Sequence, residues 1–141
     1  MSHARKPAVQ ALLVCDQVYQ DTQTNKMVVA GTFTQIFASE FPAVHAQWCV
    51  YVRLVDFKGP ASLRLRVVDL DDDSVVGSLG PVKFEMKDRL VGAEVAIKMP
   101  PLPIPHAGAY ALDVLWGDED VPLSSWRFVA QPPPGKKKSH G

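Results

Sequence analysis

At 141 residues, of which 47% are apolar and 21% charged, the chain has the size and balance of one ordinary globular domain with room for a real core. Its 15 basic and 15 acidic residues give a formal net charge of zero, which excludes a global field drawing it to nucleic acid or to an anionic membrane. Charged recognition therefore has to be local, and no apolar run is long enough to span a bilayer.

Residues 1–7 are polar and basic and are expected to be flexible. The basic start before Ala11-Leu12-Leu13-Val14-Cys15 invites a signal-peptide or lipoprotein reading. Gln10 shortens the apolar run, and Val14 is too large for the position before a processed cysteine, so the expectation is a cytoplasmic chain. In the first strand Val9, Ala11, Leu13 and Cys15 alternate with Gln10, Leu12, Val14 and Asp16. It is apolar on both faces for most of its length, which suits the middle of a sheet or a strand under a covering loop. Asp21-Thr22-Gln23-Thr24-Asn25-Lys26 supplies turn chemistry, with Asn25 best able to take a left-handed conformation, and predicts a hairpin.

The returning strand, residues 27–37, is rich in valine, threonine and phenylalanine. Gly31 within it predicts a bulge or a close approach by another group; a bulge would explain why Val29 and Phe33 share a parity that Ile36 does not. Residues 39–46 form a crossing segment, because Pro42 cannot donate to a central ladder. The chain then enters the stretch around which it is expected to be organised, a strand over 47–56 that turns through Phe57-Lys58-Gly59-Pro60 and returns over 61–70. Setting Leu54 opposite Leu63 pairs Val52 with Leu65 and Val50 with Val67, giving one aliphatic core face. The other face carries Tyr51, Arg53, Arg64 and Arg66 beside Cys49 and Val68, and these four are the candidate partner-binding residues.

Asp71-Asp72-Asp73-Ser74 makes an acidic turn, followed by short strands near 75–79 and 82–86, kept short by Gly77, Gly80 and Pro81. Residues 91–99 alternate as a half-exposed strand. Four prolines between 100 and 108 predict an extended connector. Tyr110, Leu112, Val114 and Trp116 form an inward stripe, with Leu112 expected opposite Trp126 and Tyr110 opposite Phe128; that register needs an odd-length loop or a bulge at the acidic tip Gly117-Asp118-Glu119-Asp120. Residues 131–141 read as a disordered, proline- and lysine-rich tail whose Lys136-Lys137-Lys138 attracts an acidic surface only weakly. No repeat and no sustained helical period is visible, so the domain, residues 8–130, is expected to be all-β: a single antiparallel β-sandwich of about eight strands with Greek-key, immunoglobulin-like wiring.

Cys15-Asp16-Gln17-Val18, the turn 21–26, Gly31-Thr32-Phe33 with Ile36, Phe41-Pro42-Ala43-Val44-His45 before Val50-Tyr51-Val52-Arg53-Leu54, and Gly108-Ala109-Tyr110 together resemble a small bacterial family known as a domain of unknown function. The resemblance covers nearly all of the expected domain. It implies a bacterial source and a β-sandwich; its motifs are turn and core residues, and it carries no catalytic residue over.

Each chemical motif has a plainer reading beside it. Asp69, Asp71, Asp72 and Asp73, with Asp118, Glu119 and Asp120 at a second tip, offer hard oxygens for calcium but lack a calcium-loop spacing, so solvated turn tips are expected and no metal. His3, His45, His106 and His140 have neither metal nor triad spacing, and His45 reads as a structural histidine with no nucleophile beside it. Ser124 and Ser125 look like sheet positions. Cys15 and Cys49 fall in separate strands without ligand spacing and read as two buried thiols rather than a disulfide. Arg53 and Arg64, opposite one another in the expected register, need Glu94 or Asp113 from an adjoining strand, or else an anionic partner.

The functional expectation is therefore a non-enzymatic binding or assembly module that meets a protein, or a second copy of itself, through a sheet face, without nucleic acid, membrane or cofactor. The competing class is a calcium-dependent binder or an enzyme with its site at one end of the sandwich.

Overall fold

The computed structural model describes residues 5–135, all of them strand, turn or loop. Eleven strands form among the described residues: β1 (Ala8–Gln20), β2 (Met27–Thr32), β3 (Gln35–Phe37), β4 (Ala43–His45), β5 (Cys49–Val55), β6 (Gly59–Asp69), β7 (Ser74–Met86), β8 (Ala93–Lys98), β9 (Leu102–Ile104), β10 (Gly108–Trp116) and β11 (Ser124–Gln131). They make a first sheet in the order β2-β1-β5-β8, a second in the order β3-β11-β10-β6-β7, and a two-stranded sheet of β4 and β9. Every pair is antiparallel except β3 with β11, which run parallel.

β1 lies between β2 and β5, as its two apolar faces require. The turn after it closes on Asp21: the Asp21 carbonyl accepts from the Asn25 N–H, its carboxylate accepts from the Gln23 N–H and the Thr24 hydroxyl, and Asn25 sits at φ 59°. Gly31 at φ 75° marks a close approach, since a Cβ there would stand 2.5 Å from the Asp16 carboxylate. The change of parity after Phe33 arises from a change of sheet: β2 ends at Thr32, and β3 resumes beside β11 in the second sheet.

The expected hairpin over residues 47–70 does not form. β5 pairs with β1 and β8, whereas β6 pairs with β10 and β7, so the two strands lie in different sheets. Their parity is as read: Val50, Val52 and Leu54 meet Leu63, Leu65 and Val67 in one buried cluster. Asp56 at φ 66° and Gly59 at φ 128° carry the connection across from one sheet to the other.

β10 and β11 take the expected register, Tyr110 opposite Phe128 and Leu112 opposite Trp126, joined by the odd-length connection 117–123. The two short strands expected after the acidic turn are one strand, β7, with a register shift against β6 near Gly80. The proline-rich connector contributes β9, whose Leu102 and Ile104 are buried and which pairs with β4 from the crossing segment. Trp48 is buried and donates from Nε1 to the Pro100 carbonyl at 2.9 Å, tying the start of β5 to the same connector. Of the terminal segments expected to be flexible, residues 1–4 and 136–141 lie outside the described residues; Pro7 is buried, Lys6 pairs with Glu119 at 2.6 Å, and Gln131 is the last residue of β11.

Candidate functional site

The four residues singled out on one expected face stand on two. Tyr51 and Arg53 belong to β5 in the first sheet, Arg64 and Arg66 to β6 in the second. Each is committed within the chain. The Tyr51 hydroxyl donates to Glu94 on β8, and burial, with that carboxylate beside it, pushes the phenol up to about 12. Arg53 donates to the Gln10 side chain at 2.5 Å and to the Val91 carbonyl at 2.6 Å. Arg64 donates to the Gly117 and Glu119 carbonyls, both at 2.6 Å. Arg66 pairs with the buried Asp113 at 3.1 Å and reaches the Asp120 carbonyl at 3.2 Å, while the Ser125 hydroxyl donates to the other Asp113 oxygen at 2.6 Å.

The three arginines thus hold two loops, 87–92 between β7 and β8 and 117–123 between β10 and β11. Both loops lie at one end of the molecule. β7 finishes at Met86 opposite Gly59, β10 finishes at Trp116 opposite Leu63, and the Phe57 and Trp116 rings meet edge to face at 4.9 Å between them. The first loop is cross-braced: one Asp88 carboxylate oxygen accepts from the Leu90 and Val91 N–H groups, the Asp88 carbonyl from Gly92, and the Arg89 carbonyl from Asp56. The N–H groups of Val91 and Leu90 hold the Asp88 carboxyl below the usual range. At its apex Leu90 is 86% exposed and Val91 66%; in the second loop Val121 is 73% exposed. Val91, expected to open a strand, lies in this loop, since β8 starts at Ala93. The available signal was Asp88 followed four residues on by Gly92, a turn pattern around two aliphatic residues.

The opposite end carries the β6–β7 turn. Asp69, at 2% exposure, accepts from the Asp71 N–H on one oxygen, and its other oxygen lies 2.6 Å from His106 Nε2; His106 Nδ1 lies 2.7 Å from the Ala107 carbonyl and 3.7 Å from Asp71. With acceptors at both nitrogens the ring is set to donate twice, and the Ala107 carbonyl and then Asp69 raise its pKa above the usual histidine value. Tyr110 donates to the His106 carbonyl at 2.6 Å. Asp69, Asp71 and His106 offer three ligand atoms within 4.8 Å of one another, a set with the chemistry for a divalent cation. Asp72 is spoken for locally, its carboxyl held below the usual range by the Ser74 hydroxyl and N–H. The two acidic turns occupy opposite ends of the second sheet and share no site.

His45 packs edge-on against Phe33 at 5.2 Å, and burial pushes its pKa down, opposed by Asp16. Its Nε2 is enclosed without a hydrogen-bond partner among the described residues. Where β1 runs on past the start of β5, a cleft of about 300 Å³ opens between Gln17, Gln47, Trp48, Cys49 and Lys98. Cys49 lies directly opposite Cys15 across the β1–β5 pair, and both are free thiols.

The model of a family described as a family of unknown function (DUF6941) matches residues 10–127. No curated protein matches the chain.

Proposed function

The chain belongs to this family of unknown function, which gives it no activity to inherit, and we propose that it is a non-enzymatic protein-binding module whose contact surface is the end built from loops 87–92 and 117–123. The observation that carries the reading is Leu90, 86% exposed at the apex of a loop whose backbone groups are already hydrogen-bonded. A single exposed leucine on a surface is ordinary. One carried on a backbone that is already ordered costs less entropy to bury against a partner than one on an unbraced loop, which favours an anchor. The arginines read from the sequence as contacts act here as supports, and the sheet face gives way to the loop end. The non-enzymatic reading is supported by His106, whose ring nitrogens are both committed, to Asp69 and to the Ala107 carbonyl. The wider reading is a bacterial, cytoplasmic protein, and its Greek-key, immunoglobulin-like sandwich is supported by one core shared between two sheets.

The test compares proteins retained from a lysate of the native organism by the wild type and by Leu90→Ser. The reading expects a partner lost from Leu90→Ser while the melting temperature stays within a degree or so, as for an exposed substitution. Identical retained sets overturn it. A second reading, a cation-dependent binder, is favoured by the clustering of Asp69, Asp71 and His106. It requires a divalent ion to displace the proton from His106 Nε2, so binding would release protons and weaken as pH falls.

A further inference from the structure

We propose that Cys15 and Cys49 are a redox-active dithiol, oxidised to a cross-strand disulfide by a low-molecular-weight disulfide that enters the cleft at Cys49. The two residues are direct Cα partners in adjacent antiparallel strands. Such partners stand about 4.5–5.5 Å apart, inside the range of about 4.4–6.8 Å that a disulfide spans, so no backbone rearrangement separates thiols from bridge. Both side chains lie on the outward side of the first sheet, since Val14 and Val50 beside them enter the core. The Cys15 sulfur lies between two carbonyls, 3.5 Å from that of Gln17 on its own strand and 3.6 Å from that of Cys49 on the partner strand, so the partner cysteine is within its reach.

The pair is asymmetric, and the asymmetry orders the chemistry. Cys15 is fully buried, and burial, with Cys49 and Asp16 nearby, pushes its thiol up to about 11. Cys49 is half-buried and forms part of the cleft wall. Cys49 therefore reacts first: its thiolate attacks one sulfur of the incoming disulfide RSSR, the new Cys49–SR bond forms, the old S–S bond breaks, and RS⁻ leaves to take up the proton Cys49 released. Cys15, deprotonated in turn, attacks the Cys49 sulfur, closing the protein disulfide and expelling the second RS⁻ as RSH. Two protein thiols lose two electrons and two protons, and one RSSR becomes two RSH.

The experiment incubates the folded protein with oxidised glutathione, quenches with acid and reads the intact mass, followed by a peptide map. The wild type is expected to lose about 2 Da and yield the Cys15–Cys49 cross-linked peptide. Cys15→Ser should stop at a single glutathione adduct of about 305 Da, and Cys49→Ser should stay unmodified over the same interval. A wild type that keeps both thiols, or that carries glutathione on Cys49 with Cys15 still free, overturns the proposal. A Cys49→Ser protein that reacts as fast as the wild type also overturns it, by removing the cleft as the entrance. The wild-type mass and peptide map decide the matter even where a variant fails to fold.

Discussion

His106 ties the β9–β10 connector to Asp69 at the end of β6, with its second ring nitrogen on the neighbouring Ala107 carbonyl, and only the protonated ring donates to both. Its pKa is raised in the folded chain, so the stabilisation it supplies is fully present below the unfolded value of about 6.5 and is lost as pH rises through the higher folded value. The melting-temperature gap between wild type and His106→Gln should be widest near about pH 5.5 and narrow by about pH 9, measured in a buffer series; a gap that widens with pH would contradict the assignment. The paired arginines give a second comparison. Removing Arg66 leaves Asp113, only 7% exposed, with Ser125 alone, which should cost about 2 kcal/mol. Removing Arg64 frees two loop carbonyls that water can reach, for about 1 kcal/mol. Urea titration should therefore order the variants wild type, Arg64→Ala, Arg66→Ala. Asp113 was legible in the sequence as an acid for Arg53 and Arg64, opposed in the expected register, though it meets Arg66 instead. The identity of its partner was not, because that depends on which strands become neighbours.

Among the elements, the same limit explains the one large misreading. Alternation fixes which side chains of a strand are buried, and it is identical whether β5 pairs with β6 edge to edge or faces it across the core. The register of β10 with β11 was legible because bulky aromatics had to share a face across a short connection. The β5–β6 connection carried no comparable constraint, and the left-handed Asp56 that marks the crossing belongs to a residue type common in both kinds of turn. The braced loop 87–92 depends on Gly92, at φ 71°, where a Cβ would stand 2.1 Å from the Leu54 carbonyl oxygen. Gly92→Ala must move either β5 or the loop, and it should destabilise by about 2–3 kcal/mol in the same titration. Gly117→Ala is the matched control: its φ is also positive, but nothing lies within 4 Å of the added methyl, so the cost should be about 1 kcal/mol of backbone strain alone. Equal losses at the two sites would remove close packing as the reason for Gly92.

For the molecule as a whole, the acidic turns suggest calcium more readily in sequence than in space. They lie at opposite ends, and the Asp72 carboxylate is engaged by Ser74. An ion bound only by the folded state raises the melting temperature by mass action, so millimolar calcium should leave the transition unmoved in both wild type and Asp72→Ala. A rise lost in Asp72→Ala would reinstate the calcium reading.

The position of β11 bears on how the chain is made. It is the last of the described strands in sequence yet an interior one in space, with β3 on one side and β10 on the other. Every strand of the first sheet has left the ribosome once Lys98 is through, but the second sheet waits for Gln131. At about 5–20 residues per second that interval is roughly 2 to 7 s. Throughout it β3 has no neighbour to pair with, and Val50, Val52 and Leu54 face a layer that gains Tyr110 and Leu112 only partway and Phe128 near the end. Synthesis therefore passes through a half-built layer with an open edge, and a nascent chain paused between these two points is the form most exposed to aggregation and most dependent on chaperones.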